Sequence, residues 1–329
     1  MTDEPDTLRE SLEDAIGKPL SDGGPSIAPD AVNLPMIRHW VDALDDRNPI
    51  YLDEAAGAAT RHGGLVAPPA MLQTWTMGRP RIEGIAARGG AAGDMNPQSP
   101  LAVLAAAGYR GTLATNSELE FDRYLRIGDR LQSEGALESI SERKTTGLGN
   151  GYFVTWVTTY TDQHGEEVGR QRFRVLKFDP STMGGERSAG SPPKPEPAEP
   201  TGEMLPPFEL EVTPTVVVAG AIASRDFMPV HHDRDYAQAQ GAPDIFMNIL
   251  STNGYCGRFL TDWAGPDALV RQLSIRLGVP VFPGSTLRFT GAVTAIEQRG
   301  DERLVHVELR AATDLGDHAS GTAIVAIPA

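Results

Sequence analysis

Apolar positions change period several times along the chain. Ile37, Trp40, Val41 and Leu44 fall at i, i+3, i+4 and i+7, one face of an amphipathic helix. Tyr152–Tyr160 and Arg170–Phe178 read as two strands about the polar turn Asp162–Gly165. Leu304–Ala312 and Ala319–Ile327 read the same way about Asp314–Gly316. Ile245–Trp263 is apolar on more than one side, which predicts a buried helix with a curved sheet wrapped around it.

The two halves are variants of one pattern. Asp46–Tyr51 (DRNPIY) returns as Asp226–His231 (DFMPVH), 180 positions further on. Tyr124–Leu131 (YLRIGDRL), followed by Gly135, returns as Pro280–Leu287 (PVFPGSTL), followed by Gly291. Both read as a turn feeding a strand, with glycine where φ is positive or backbones approach closely. The economical reading is an α+β fold made twice in tandem, each copy a long antiparallel sheet around a central helix. Pro49 to Gly128 spans 79 positions and Pro229 to Gly284 spans 55, so the first copy holds about 24 more residues, placed in the Gly/Ala-rich stretch Gly78–Gly111. A long insertion of that kind is either a disordered loop or part of a binding surface.

Composition supplies the boundary between the copies. Ser181–Pro207 is dense in Pro, Gly, Ser and Glu and has no hydrophobic period, which predicts an extended, mobile linker between domains 1–180 and 208–329. The formal charge of −15 repels nucleic acid and anionic lipid, so neither is expected as a partner, and an anionic ligand needs a local basic patch. The acidic N-terminus is not a signal or transit peptide, and the longest apolar run, Val216–Ala223, is far too short to span a membrane. With Cys256 as the sole cysteine no disulfide forms within the chain; a cytoplasmic location is expected.

Asp226 and His231 are the candidate chemistry. Their spacing does not share a helix face, but Pro229 between them predicts a turn that brings both side chains to one point. A carboxylate beside an imidazole can take a proton from water and return one to carbon. Two plainer readings stay open. One is a helix-capping aspartate beside a packing histidine. The other is a metal held by His231, His232 and Asp233, which suffers because neighbours on a strand face opposite ways and no further His/Cys cluster completes a set.

The run Asp226–His231, with Asp233 and Tyr236-Ala237 after it, resembles the signature of the MaoC-like, (R)-specific enoyl-CoA hydratases, and Pro280–Leu287 resembles their second characteristic segment. DRNPIY, VAPPAML (66–72) and LRIGDRL in the first half resemble the related FAS1-like dehydratases. These are hot-dog folds. RDFMPVHHDRDYAQAQG, DIFMNIL and FLTDWAGPDALV are similar to the small catalytic chain of the two-chain steroid enoyl-CoA hydratases of actinobacteria, and the first half to the large chain.

The resemblance implies addition of water to a steroid or other bulky enoyl-CoA by Asp226 and His231, with the thioester oxygen at the backbone N–H of Asn248. The thioester is the substrate, so no cofactor and no metal is implied, and a homodimer of double hot-dog chains is expected. Tyr51 stands at the first half's histidine position, which implies a half that binds substrate without catalysing. Pro68 and Pro69 suit a shortened central helix there; Met71, Trp75 and Met77 are then candidates to line an acyl pocket, with ordinary core packing open for each. Arg258 and Arg276, with Arg271 and Arg288 behind them, are candidates for the CoA phosphates. Nothing matches the zinc-ribbon domain through which the large steroid chain contacts an aldolase, so that coupling is not implied. Two alternatives stay open: a thioesterase, and an acyl-CoA-binding hot-dog protein without catalysis.

Overall fold

The computed structural model describes residues 6–183 and 202–329, apart from 22, 89, 90, 92, 94 and 95. In the first half, α1 (Thr7–Glu13), β1 (Ser26–Ile27), α2 (Leu34–Leu44), α3 (Glu54–Ala58) and α4 (Pro100–Ala106) precede β2 (Gly111–Phe121), β3 (Gln132–Ile140), β4 (Lys144–Thr146), β5 (Gly149–Thr161) and β6 (Glu167–Phe178). The second half runs β7 (Phe208–Glu211), α5 (Pro214–Ala223), α6 (Arg234–Ala239), α7 (Ile249–Ala264), β8 (Leu269–Leu277), β9 (Thr286–Arg299), β10 (Glu302–Thr313) and β11 (Gly316–Pro328). All strands join one antiparallel sheet in the order β1-β3-β5-β6-β2-β8-β11-β10-β9-β7, with β4 on β5. The seam between the halves is β2 against β8, centred on Glu118 opposite Ser274. This is a double hot dog.

The predicted helices form where apolar faces demand burial. All four residues of the 37–44 stripe are buried in α2. The second predicted helix starts later than its apolar run, because Asn248 caps it by accepting the Ser251 N–H at 2.9 Å. From Ile249 to Gly257 every residue of α7 is buried, as a helix wrapped by a sheet must be. The apolar run 216–223 forms α5, which packs on α2.

The first half departs from the expected single central helix. Where α7 stands in the second half it has two short 3-10 turns, Pro69–Met71 and Gln73–Thr76, after which Met77 is extended. Pro68 and Pro69 fit a first turn, but Gly78 and Pro80 halt the helix soon after. The extra residues then run back through α4 to β2. Within them the Ala86 carbonyl accepts a hydrogen bond from the Tyr236 hydroxyl of α6, so the insertion reaches the second half.

The linker is shorter than composition predicts. Residues 184–201 lie outside the described residues, but Val293 donates to the Glu203 carbonyl and Leu205 to the Gly291 carbonyl, and Leu205 is buried. The Leu205 side chain docks this stretch on β9, while Met204 pairs with Ala292 through its backbone and leaves its side chain exposed. At the other end, Pro180–Thr182 form a 3-10 turn. Among the described residues no helix is long and apolar enough to cross a membrane.

Candidate active site

Asp226 follows α5 through Arg225, which is held at φ 60°, a backbone conformation a non-glycine residue adopts only under constraint. Its own N–H returns to the Ala221 carbonyl at 2.9 Å, closing the helix end. Pro229 then starts a 3-10 turn that carries His231, and Asp233 caps α6 behind it. The turn does what the proline predicted: His231 Nε2 lies 3.5 Å from Asp226 Oδ2, with the two side chains 8% and 19% exposed.

The remaining contacts fix the roles of these atoms. His231 Nδ1 is 2.7 Å from the Phe246 carbonyl. A carbonyl only accepts, so Nδ1 carries the hydrogen and donates, which leaves Nε2 bare in the neutral ring. Asp226 Oδ1 accepts the Met228 N–H, and Oδ2 accepts Asn248 Nδ2 at 3.0 Å. The same Nδ2 also donates to Ser224 Oγ at 2.8 Å. Two acceptors, Nε2 and Oδ2, thus face each other at a distance where neither bonds the other. A donor with two hydrogens, such as water, satisfies both.

Asn248 is also where α7 begins. The N–H groups of Asn248, Ile249 and Leu250 have no acceptor within the helix and carry the positive end of its dipole. His318 steadies this end: its Nδ1–H donates to the Val279 carbonyl at 2.8 Å and Nε2 accepts the Thr252 hydroxyl at 2.9 Å. Burial lowers the His318 pKa and keeps that ring neutral. The side-chain roles of Asn248, Ser224 and His318 escaped the sequence reading. Only the polar character of a residue inside an otherwise apolar run could have flagged them.

The first half repeats this backbone without its chemistry. Asp45 has φ 49°, as Arg225 does, and Asp46 N–H meets the Val41 carbonyl as Asp226 N–H meets Ala221. Val66 donates to Ile50 as Phe246 does to Val230, and Ala67 to Leu125 as Met247 does to Val281. The offset of 180 therefore holds through the turn and on to Pro68, which stands at the place of Asn248. Tyr51 replaces the imidazole; it is fully buried, and desolvation raises its pKa well above the ordinary tyrosine value. Proline at 68 has no N–H to offer. Both a base and a donor are missing from this half.

The other candidates divide. Met71 and Trp75 are buried in the core and Met77 is half-buried against it; the Trp75 indole N–H has no acceptor. Arg258 is occupied: it donates to the Leu44 carbonyl, pairs with Asp262 and Asp45, and lies over the Phe208 ring. It also sits ten residues into α7 from Asn248, about 15 Å along the helix. Arg271 pairs with Glu302 and donates to the Asp122 carbonyl, and Arg288 pairs with Glu209. Arg276 is exposed and, among the described residues, has no carboxylate partner; Arg174 stands beside it across Asn116. His232 Nε2 meets the Phe227 carbonyl, and among the described residues no three His, Cys, Asp or Glu side chains are grouped to hold a metal.

Comparisons with known proteins agree with this architecture. Residues 28–171 match the FAS1-like dehydratase domain region and residues 197–314 the MaoC-like domain. The chain is 46% identical over 121 residues to the 3-oxo-4,17-pregnadiene-20-carboxyl-CoA hydratase beta subunit of Mycobacterium tuberculosis, covering 91% of that protein and 37% of this one. It is 45% identical over 176 residues to a probable enoyl-CoA hydratase alpha subunit of Thermomonospora curvata, 51% of each chain. It thus spans about half the length of that relative. A solved MaoC-like dehydratase superposes over 96% of this chain and 99% of its own at TM-score 0.72 and 21% identity. A double hot-dog protein of M. tuberculosis superposes at TM-score 0.59 and 16% identity over 90% of this chain and 92% of its own. The chain belongs to the MaoC-like family, with a FAS1-like dehydratase region ahead of its MaoC domain.

Proposed function

We propose that the chain is an enoyl-CoA hydratase that adds water across the 2,3 double bond of a bulky acyl-CoA in steroid side-chain degradation. The observation that carries this reading is the bare His231 Nε2 facing Asp226 Oδ2 at 3.5 Å beside the start of α7. Water held between them gives one proton to Nε2 as its oxygen bonds the β-carbon. The electron pair of the double bond moves toward the thioester oxygen, which the Asn248 N–H receives. The Asp226–His231 pair returns a proton to the α-carbon, so one water is consumed and nothing is left over.

Two further observations support a large acyl group and a CoA thioester. The first half gives up its central helix and keeps no base, and sets two short turns against α7 where a second long helix would stand. Arg276, with Arg174 next to it, is a cationic place with no carboxylate partner among the described residues, on a chain of net charge −15, and fits the CoA phosphates better than Arg258. Relatives named as alpha and beta subunits of one steroid acyl-CoA hydratase both match this single chain, which supports a fused form of such a pair.

The test is loss of enoyl-thioester absorbance with crotonyl-CoA and a steroid enoyl-CoA. Asp226→Asn and His231→Ala are each expected to lower turnover by roughly 10²–10⁴ while circular dichroism stays that of the folded protein. Retention of more than about a tenth of turnover in either variant ends the assignment, measured against that same expectation. Faster hydration of crotonyl-CoA than of the steroid thioester removes the steroid part alone.

A further inference from the structure

A chain of buried, uncharged polar side chains runs from α7 into the first half. Asn253 Nδ2 donates to Ser117 Oγ at 3.1 Å. Gln171 Nε2 donates to the same oxygen at 3.3 Å and to Gln73 Oε1 at 2.9 Å, and the Tyr160 hydroxyl donates to Gln171 Oε1 at 3.3 Å. Ser117, Gln171, Asn253 and Tyr160 are all at most 2% exposed. Burying this many polar groups between a helix and a sheet costs free energy unless each finds a partner.

They do not all find one. Among the described residues Asn253 Oδ1 has no partner, nor do the neighbours of Gln73, Thr74 Oγ1 and Trp75 Nε1, with Thr74 and Trp75 0% and 2% exposed. Ser117 Oγ already receives two N–H groups, so its own hydrogen is spare, and the indole N–H can only donate. The cluster thus leaves spare donors, the Ser117 hydrogen and the Trp75 N–H, beside one unfilled acceptor, Asn253 Oδ1, and none of its members is ionisable near neutral pH. A neutral oxygen group fits such a site, a ketone meeting the spare donors and a hydroxyl meeting Asn253 Oδ1 as well; a carboxylate would bring a charge that these uncharged side chains do not balance.

The internal repeat shows that the polarity is local. Read about the seam at Glu118 and Ser274, the places of Ser117 and Gln171 are taken in the second half by Leu273 and Gly321. Gln73 stands at the place of Asn253, 180 positions earlier. The polar groups therefore collect in the half without a base, where the central helix is cut to two short turns. Asn253 lies five residues into the chain from Asn248, about 7.5 Å along α7. That separates the cluster from the thioester end by more than a short acyl chain.

We infer that Ser117, Asn253 and Gln73, held in place by Gln171, bind a neutral oxygen, a ketone or hydroxyl, carried at the far end of a long or fused-ring acyl group. These side chains set specificity and do not touch the reacting carbons. The inference rests on the hydratase reading for the position of the thioester. It is tested by binding in an Asp226→Asn background, where turnover does not interfere. The probes are two fused-ring enoyl-CoA thioesters that differ only in a ketone on the ring farthest from the thioester, with crotonyl-CoA as the reference for both dissociation constants.

The ketone-bearing thioester is expected to bind about tenfold tighter or better than its deoxo partner. Gln171→Leu, which removes the side chain that holds Ser117 and Gln73 in place, and the milder Ser117→Ala, which removes the spare hydrogen, each checked for folding by thermal melting, are expected to bring that ratio to within about twofold of one. A ratio near one in the Asp226→Asn parent, or variants that weaken all three thioesters equally, overturns the inference: the cluster then holds water or serves packing alone. Hydration of the ketone-bearing thioester by the unsubstituted chain is followed in parallel. Its absence with the ketone preference intact sinks the hydratase reading and leaves this one standing.

Discussion

At the scale of single residues, the contrast between Asp226 and Asp46 is the most informative feature of the chain. Asp226 has two N–H partners and a histidine beside it. Among the described residues Asp46 keeps only the Asn48 N–H; it is 5% exposed, and burial pushes its carboxyl up from 3.8 to about 6. A carboxyl whose folded pKa is raised binds more protons folded than unfolded between those two values. Stability therefore falls as pH rises through that window, and the cost is complete above about 6. Asp46→Asn keeps an oxygen for the Asn48 N–H and removes the buried charge. It is expected to raise stability near neutral pH by about 1–3 kcal/mol, with the difference vanishing in acid below the ordinary carboxylate pKa. Denaturant melts at two pH values check this; a variant less stable at neutral pH would show that Asp46 has a partner the structure does not supply. Both aspartates were legible in the sequence because the turn repeats with one fixed offset. Asn248 was legible as a helix start, but its hold on Asp226 and Ser224 was not, since no local pattern shows which side chains a turn 22 and 24 residues away will present.

Among the elements, helix α7 is the common support of the site and of the contact between halves. Gly254 shows how closely it packs on α2. A methyl group there would stand 2.3 Å from Leu44 Cδ2 and 2.9 Å from Trp40 Cζ2, and both of those side chains are 1% exposed. Neither has room to turn away, so Gly254→Ala is expected to cost about 1–3 kcal/mol, read as a lower denaturation midpoint with an unchanged slope. A neutral result would mean that α2 and α7 slide apart freely. Periodicity exposed α2 and α7, and prolines exposed the weak first-half helix. It missed α5, because a run apolar at nearly every position carries no period to read, and it missed α4 within the Gly/Ala-rich insertion. Arg258 seemed free for a phosphate when only its charge was known; Asp262 is its i,i+4 partner within α7, and Leu44 and Asp45 reach it only when α2 packs on α7.

For the whole molecule, the question is what keeps two hot-dog units working as one. The seam pairs five residues of β2 with β8, and cross-contacts surround it. Val270 N–H donates to the Tyr124 hydroxyl, Arg271 to the Asp122 carbonyl, Asn253 to Ser117, and Arg61 pairs with Glu302. These join a base-bearing half to a half that offers uncharged polar groups, so the site as proposed needs both. The outer strands of the sheet are short, β1 with two residues and β7 with four, two of them glutamates, which discourages growth through the edges. The covalent connection raises the effective concentration of one half near the other. A protease site placed between residues 184 and 201 therefore gives a decisive measurement. After cleavage the two fragments are expected to co-elute in size-exclusion chromatography and to keep more than about half of the hydration rate at micromolar protein, with loss only on strong dilution, where the tether no longer offsets dissociation. Fragments that separate at micromolar concentration would mean that the connection, and not the β2–β8 seam with α7 behind it, holds the two halves in register.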